Sequence, residues 1–504
     1  MSKVQAVSSP KAATGVPGLD DVLAGGLTEG NVFLLEGNPG TGKTTIAMRF
    51  LLAGAEAGER GLYITLSETE TELRATAASH GWSVGENIDV YELLAPESLL
   101  DEAQKQTLLY SADLELGETT KLILEQIERT RPQRVVVDSL SEIRLLAQSS
   151  LRYRRQVLAL KHYFKSHGAT VLLLDDLTSE AQDKTVHSVA HGVISLQELA
   201  PEYGGERRRL RVSKYRGQAF RSGYHDFRIE TGGVVVFPRL VSAEHQRNFL
   251  HKQSASGIAE LDKLLGGGVE QGSSVLILGP SGTGKSIFTL QFVAAAAARG
   301  ERSAMFVFDE ELGLLLRRSR LLGFDLEGLR DAGLLHIEQV DAAELSPGEF
   351  THRIRAQVAR GLSTVVIDSL NGYRAAMLDE RALTLHVHEL LQFLNRQGVT
   401  TFLTVAQHGL VGDLDAPVEV TYLADTVILL RFFEAAGTIR RAVSVIKKRA
   451  GAHEETIREY KISGSGVKLG PPLSQFHGVL AGVPEFIGDT QPLLDTSLAG
   501  DGKS

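Results

Sequence analysis

The chain has 504 residues, enough for two to four domains at roughly 100–200 residues each, and a formal net charge of −9, which argues against a protein that grips nucleic acid along its phosphates. It contains no cysteine, which excludes disulfides and thiolate metal sites and fits a reducing compartment. "MSKVQAVSSPKAATG" lacks the apolar run of a signal peptide and "FVAAAAA" falls far short of the roughly 20 residues that span a bilayer, so a soluble cytoplasmic protein without membrane contact is expected.

The first apolar run, "NVFLLEG" (31–37), reads as a buried strand and leads through "GNPGTGKTT" (37–45) into a helical pattern, "TTIAMRFLLAGAEAG" (44–58). Strand, Gly-rich turn and helix in that order make a phosphate cradle. Gly37, Gly40 and Gly42 permit a tight turn whose N–H groups face phosphate oxygens. Lys43 supplies a charge to the β- and γ-phosphates, and the Thr44 hydroxyl can ligate Mg²⁺; Thr41 and Thr45 belong to the same nucleotide-binding segment. ATP and Mg²⁺ are the expected ligands.

The next strand, "GLYITLS" (61–67), runs into an acidic step at Glu68. A carboxylate there polarises a water for attack on the γ-phosphate, or it is the N-cap of the following helix. "RVVVDSL" (134–140) ends on Asp138, which either holds Mg²⁺ beside the cradle or caps a helix. A helical stretch, "RRQVLALKHYFKSHG" (154–168), then precedes the strand "TVLLLDD" (170–176). Late in this half, "GERRRLRVSKYRG" (205–217) places Lys214 and Arg216 two apart, on one face of a strand. Such a pair is a finger into a neighbouring subunit's nucleotide, a solvated strand face, or part of a nucleic-acid patch.

The whole pattern then recurs. Lys285 follows Lys43 by 285 − 43 = 242 residues, and at that offset residues 14–45 lie on 256–287 without a gap. The second cradle comprises Gly279, Gly282, Thr283, Gly284, Lys285 and Ser286, with Ser286 as its Mg²⁺ hydroxyl. "TVVIDSL" (364–370) repeats the metal strand with Asp368, and "MFVFDEELG" repeats the acidic step with Asp309 and Glu310. "GVTTFLTVA" (398–406) answers "GATVLLLDD" (168–176), and Lys447 and Arg449 repeat the basic pair. Thr421 and Tyr422 are hydroxyls in a loop before the strand "ADTVILL", by themselves an ordinary turn.

Near-continuous apolar strands alternating with helices imply an α/β fold, two tandem P-loop domains, each a mostly parallel twisted sheet flanked by helices. The expected divisions are a first domain over 1–240, a polar linker over 241–255, a second domain over 256–486 and a mobile tail over 487–504.

The tandem cradles, the two "DSL" strands, the acidic steps and the paired Lys-x-Arg strands resemble the KaiC family of ATPases and autokinases. So do "SGIAELDKLLGGGV", "ADTVILL" and "QFHGVLAGVP" of the second half, and the resemblance covers roughly residues 14–486. It implies RecA-like domains, a two-tiered homohexamer with nucleotide at the subunit interfaces, and a signalling or KaiB-like partner. It also implies ATP hydrolysis in the first domain, with Glu68 as the water-activating carboxylate and Ser67 where the family has a second glutamate. In the second domain it implies autophosphorylation, with the glutamate pair falling on Asp309 and Glu310 and the phosphoacceptor pair on Thr421 and Tyr422. Tyr422 is much longer than the residue it replaces, so phosphorylation at Thr421 alone is expected. The basic pairs Lys214/Arg216 and Lys447/Arg449 fall on residues that reach a neighbour's phosphate. A circadian role is not implied, since the stretch after residue 486 has little similarity to the clock protein's partner-binding tail. Two other readings use the same cradle: a RecA-like DNA-dependent ATPase or recombinase, and a non-catalytic nucleotide-sensing scaffold.

Overall fold

The computed structural model describes residues 9–93, 108–147, 149–177, 185–201, 204–250, 252–375, 377, 380–407, 421–435, 437–464, 466–480 and 485–486. They fall into two compact units, 1–239 and 240–504. The tail expected over 487–504 lies outside the described residues.

Each unit is built on a nine-stranded sheet. In the first, the strands are β1 (Val32–Gly37), β2 (Gly61–Thr65), β3 (Ile88–Glu92), β4 (Arg134–Asp138), β5 (Thr170–Asp176), β6 (Gly192–Leu199), β7 (Arg207–Tyr215), β8 (His225–Glu230) and β9 (Gly233–Phe237). Their spatial order is β3-β2-β4-β5-β1-β6-β7-β8-β9, with every pairing from β3 to β6 parallel and the last three strands antiparallel. The helices used below are α1 (Lys43–Glu56), α2 (Glu70–Ser79), α3 (Leu108–Thr130), α4 (Leu140–Ala147), α5 (Ser150–Ser166) and α6 (Thr185–Val189).

The second unit repeats this plan. Its strands are β10 (Ser274–Gly279), β11 (Arg302–Val307), β12 (Leu335–Gln339), β13 (Leu362–Asp368), β14 (Thr400–Ala406), β15 (Thr426–Ala435), β16 (Thr438–Lys448), β17 (Arg458–Ser463) and β18 (Gly466–Pro472). They are ordered β12-β11-β13-β14-β10-β15-β16-β17-β18. The helices used below are α7 (Lys285–Ala298), α8 (Leu312–Leu321), α9 (Pro347–Ala359), α10 (Leu370–Arg374) and α11 (Glu380–Arg396).

The central strands read as unbroken apolar runs because both faces are covered, and successive side chains feed opposite layers. Phe33, Leu35, Tyr63, Val136 and Leu172 join one buried cluster with Ile46 and Phe50 of α1. Their neighbours Val32, Leu34, Leu62, Val135 and Val171 join the other, with Ile127, Ile143 and Phe164 of α3 to α5. The second unit divides its core the same way. The polar stretch after Arg239 packs on the second unit. Leu240 is buried in its core, Arg247 N donates to Arg396 O at 3.1 Å, and the His245 ring meets Phe393 edge-on.

Candidate nucleotide sites

Each cradle lies at the carboxyl end of the central strand, where β1 turns into α1 and β10 into α7. Gly40 and Gly42 have φ of 81° and 93°, and Gly282 and Gly284 of 81° and 96°, a left-handed backbone that side-chain-bearing residues avoid. At Gly42 a Cβ would also meet Ile229 Cδ1 at 2.7 Å. Thr41 and Thr283 are fully buried and donate to the carbonyls of Asn38 and Pro280, each at 2.8 Å, so these hydroxyls close the turn. Thr45 is also buried, with its hydroxyl 3.5 Å from His80 Nε2.

Lys43 Nζ donates to Gly37 O at 2.8 Å and Asn38 O at 3.0 Å, and Lys285 Nζ donates to Gly279 O and Pro280 O, both at 2.9 Å. Burial lowers the Lys285 ammonium's pKa, against the opposing charges of Asp368 and Asp309. The second cradle opens on a cavity of about 450 Å³ lined by Lys285, Ser286, Asp309, Glu310, Asp368 and Arg441, among others.

Asp138 and Asp368 close β4 and β13 beside the cradles. Thr44 Oγ1 lies 3.4 Å from Asp138 Oδ2, which brings together the hydroxyl and the carboxylate expected to share a metal ion. Burial pushes the Asp138 carboxyl up against the hydrogen bond from Tyr63; Asp176 adds to the rise, and Lys43 and Thr44 oppose it. The two aspartates are steadied from opposite sides. Tyr63 OH donates to Asp138 at 2.5 Å from β2, whereas Thr404 Oγ1 donates to Asp368 at 2.5 Å from β14. By register, Met305 stands where Tyr63 does and Leu174 where Thr404 does. Among the described residues no three imidazoles or carboxylates converge as a metal cage. The donor set therefore suits Mg²⁺ shared with nucleotide phosphates, the usual arrangement for that ion.

The helix-cap alternatives resolve one residue further along. Thr69 caps α2 in a capping box with Glu72, and Glu311 caps α8 by accepting from Gly313 N and Leu314 N, both at 2.8 Å. Ser369, not Asp368, caps α10 and also hydrogen-bonds Asp309. Glu68 and Glu310 are thus free of capping. They occupy equivalent places: Thr65 is opposite Asp138 and Val307 opposite Asp368, and the next residues, Leu66 and Phe308, donate to the carbonyls of those aspartates. Glu68 Oε2 is buried with no hydrogen-bond partner among the described residues. Burial, then the charges of Asp138, Glu72 and Asp176, raise its carboxyl. Glu310 is also raised by burial, with Arg318 of α8 opposing from 2.8 Å.

The basic pairs lie elsewhere. Tyr215 is opposite Gly192, itself opposite Phe33, so Lys214 and Arg216 are at the amino end of β1, away from the cradle. Lys214 Nζ donates to the carbonyls of Ala190, at 2.7 Å, and His187, and Arg216 to Ser188 O at 2.6 Å. In the second unit Lys447 Nζ donates to Thr421 O and Ala424 O at 3.0 and 2.7 Å. Arg449 donates to Tyr422 O at 2.6 Å and to Asp425. Thr421 and Tyr422 are exposed in a turn before Thr426, which is opposite Val275 at the start of β10. From Val275 to Gly279 the strand covers roughly 13 Å, so the turn and its basic pair are remote from their own unit's cradle. The arginines upstream are engaged locally: Arg208 pairs with Glu198 at 3.0 Å and with Glu206, and Arg209 stacks on Tyr224. Carboxylates thus offset the charge of Arg208, and the Tyr224 ring fixes the position of Arg209.

Sequence reasoning passed over a set of charges in the first unit. Asp176, the last residue of β5, pairs with Lys43 at 2.6 Å. Asp175 meets Arg144 at 2.5 Å, and Glu36 accepts from Ser195 at 2.6 Å and lies 2.7 Å from His187 Nε2. Burial alone would raise the Glu36 carboxyl, but its bonds to His187 and Ser195 hold it below the ordinary range. The second unit has Leu278, Val405, Ala406 and Leu429 in place of Glu36, Asp175, Asp176 and Ser195. The signal was the double aspartate closing "TVLLLDD", where the copy reads "FLTVA".

A family model described as "ATPase: KaiC" matches residues 12–241 and again 254–474. The circadian clock oscillator protein KaiC of Thermostichus vulcanus is 29% identical over 488 residues, 95% of this chain and 92% of that protein. The protein of the same name from Synechococcus elongatus is 29% identical over 497 residues, covering 96% and 93%. The circadian clock protein KaiC3 of Synechocystis sp. is 27% identical over 496 residues, covering 95% and 96%. The chain belongs to the KaiC family of ATPases, with its two RecA-like domains in tandem.

Proposed function

We propose that this protein hydrolyses ATP in its first unit and, in its second, transfers the γ-phosphoryl group of ATP to Thr421 of a neighbouring copy, within a homohexamer that signals by its nucleotide and phosphorylation state. The observation that carries this reading is the separation of each cradle from its basic pair, at opposite ends of the same central strands. One nucleotide meets both groups only where the amino end of one copy's sheet faces the cradle of the next.

In the first unit Lys43 and the turn's N–H groups bind the phosphates, and Thr44 and Asp138 would hold Mg²⁺. When bound there, the ion would supply positive charge to offset that of the phosphates. The Glu68 carboxylate accepts a proton from water as the water oxygen bonds to the γ-phosphorus and the bridging P–O bond to ADP breaks. Its buried Oε2, without a hydrogen-bond partner among the described residues, and its raised pKa suit a base. Lys214 and Arg216 of the neighbour stabilise the charge on the transferred group.

In the second unit Lys285, Ser286 and Asp368 take the corresponding binding roles. The acceptor is the Thr421 hydroxyl, whose proton passes to Glu310, or to Asp309 beside it, as its oxygen bonds to the γ-phosphorus and ADP leaves. Lys447 and Arg449 hold the Thr421–Ala424 turn by its carbonyls, which presents the acceptor and the charge-stabilising pair together. Intact mass spectrometry after incubation with MgATP tests the reading. One added phosphate per chain at Thr421, with phosphate release dependent on Glu68, is expected. No added phosphate with continued release would leave an ATPase alone, and neither would leave a nucleotide-sensing scaffold.

A further inference from the structure

The two cradles differ in what their lysine already holds. An ammonium group has three hydrogen-bond donors. Lys43 commits all three: to Gly37 O at 2.8 Å, to Asn38 O at 3.0 Å and to Asp176 Oδ1 at 2.6 Å. Among the described residues Lys285 commits two, to Gly279 O and Pro280 O. The third partner is missing for a reason fixed by register. Gly37 lies opposite Asp176 on the adjoining strand, and Gly279 lies opposite Ala406. A methyl group cannot accept the bond.

Asp176 is held in this position. Its N–H donates to Ser141 Oγ at 3.3 Å, and that hydroxyl is 3.4 Å from Asp176 Oδ2. The Lys43 side chain is 8% exposed and that of Asp176 29%, so water weakens the pair only in part. A phosphate oxygen that takes a hydrogen bond from Lys43 must displace one of the three acceptors. The two carbonyls belong to the cradle's own turn and stay, so the side-chain carboxylate yields. It then stands beside Asp138, Glu68 and the incoming phosphates, all negative, without its cation.

Resting on the reading of the first cradle as a nucleotide site, we propose that Asp176 is an intrinsic counterion that competes with nucleotide phosphate for Lys43, so that the first cradle releases this contact on binding and the second has none to release. Asp176 is a positioning residue for Lys43. Losing its charge strengthens nucleotide binding, the opposite of what loss of a structural support would do.

Equilibrium binding of a fluorescent ATP analogue to the full chain tests this, with K285A silencing the second cradle. D176N keeps the shape and an acceptor oxygen but removes the charge. It should tighten binding by about tenfold or more, the size of a charge-assisted hydrogen bond, and the gain should shrink as salt is added. The reciprocal variant A406D, in a chain whose first cradle is silenced by K43A, should weaken the second cradle by a similar factor. Unchanged or weaker binding by D176N overturns the proposal. If K285A alone binds nothing, K285A/D176N decides: binding regained upholds the counterion, and continued absence of binding means that the reading of the first cradle fails and the proposal with it.

Discussion

Replacing Glu68 by Gln separates catalysis from architecture at the first site. The amide is nearly isosteric, and the cap of α2 is untouched because Thr69 and Glu72 make it. What goes is the proton acceptor. General-base catalysis contributes roughly 10²–10⁴-fold, and each factor of ten is about 1.4 kcal/mol of barrier. Glu68 is half-buried rather than enclosed, which places the loss nearer the lower end, about 100-fold or roughly 3 kcal/mol. Stability moves the other way. The Glu68 carboxyl is raised by burial and by Asp138, Glu72 and Asp176. The folded state therefore holds this proton more tightly than the unfolded chain, and stability falls as pH climbs from the unfolded value through the folded one. At neutral pH the carboxylate is a net strain on the fold, and Glu68→Gln removes it. Phosphate release by the K285A chain, with and without Glu68→Gln, alongside thermal melting, gives both quantities. Slower hydrolysis with an equal or higher melting temperature is expected. The hydrolysis rate of the parent should also fall on acidification above the ordinary glutamate range near 4.3, as the base becomes protonated. An unchanged rate, or a lost rate with a lower melting temperature, would refute the reasoning.

The remoteness of Thr421 from its own cradle makes transfer between copies measurable: in a mixture of Thr421→Ala and Lys285→Ala chains, phosphate should appear on the Lys285→Ala chain, which is unlabelled alone. No label on the Lys285→Ala chain in the mixture would exclude transfer between copies. Tyr422→Phe should leave labelling at Thr421 intact, since the Tyr422 contact that Arg449 makes is to its carbonyl; mass spectrometry of the digested chain reads this directly. Removal of Arg318, whose charge opposes the rise of Glu310, leaves burial and the charges of Asp368 and Glu311 unopposed. The acid limb of phosphorylation should then shift to higher pH in Arg318→Ala, and an unmoved limb would take Glu310 out of the proton path. Lys43→Ala should weaken ATP-dependent assembly in size-exclusion chromatography more than Lys285→Ala, and equal losses would contradict the division of labour between units.

Local pattern alone determined much of this protein. The glycines at 40, 42, 282 and 284 specify a left-handed turn that other residues resist, and apolar runs long enough to be buried on both faces specify a parallel sheet. Duplication of the whole pattern specified the second unit, and with it the pairing of Glu68 with Glu310 and of Asp138 with Asp368. Tertiary structure decided what depends on strands distant in sequence meeting in a particular register. Whether Glu68 or Thr69 caps α2 turned on a one-residue choice of helix start, which spacing leaves open. Tyr63 and Thr404 steady their aspartates from opposite neighbouring strands, a difference invisible until β2 and β14 are placed. Asp176 reaches Lys43 only because β5 lies beside β1, 133 residues away by number (176 − 43). The basic pairs are at the opposite end of the sheet from the cradles because β7 and β16 run antiparallel to the central strand. A Lys-x-Arg spacing shows that two cations share a face, but only the direction of the strand shows which end of the molecule they serve.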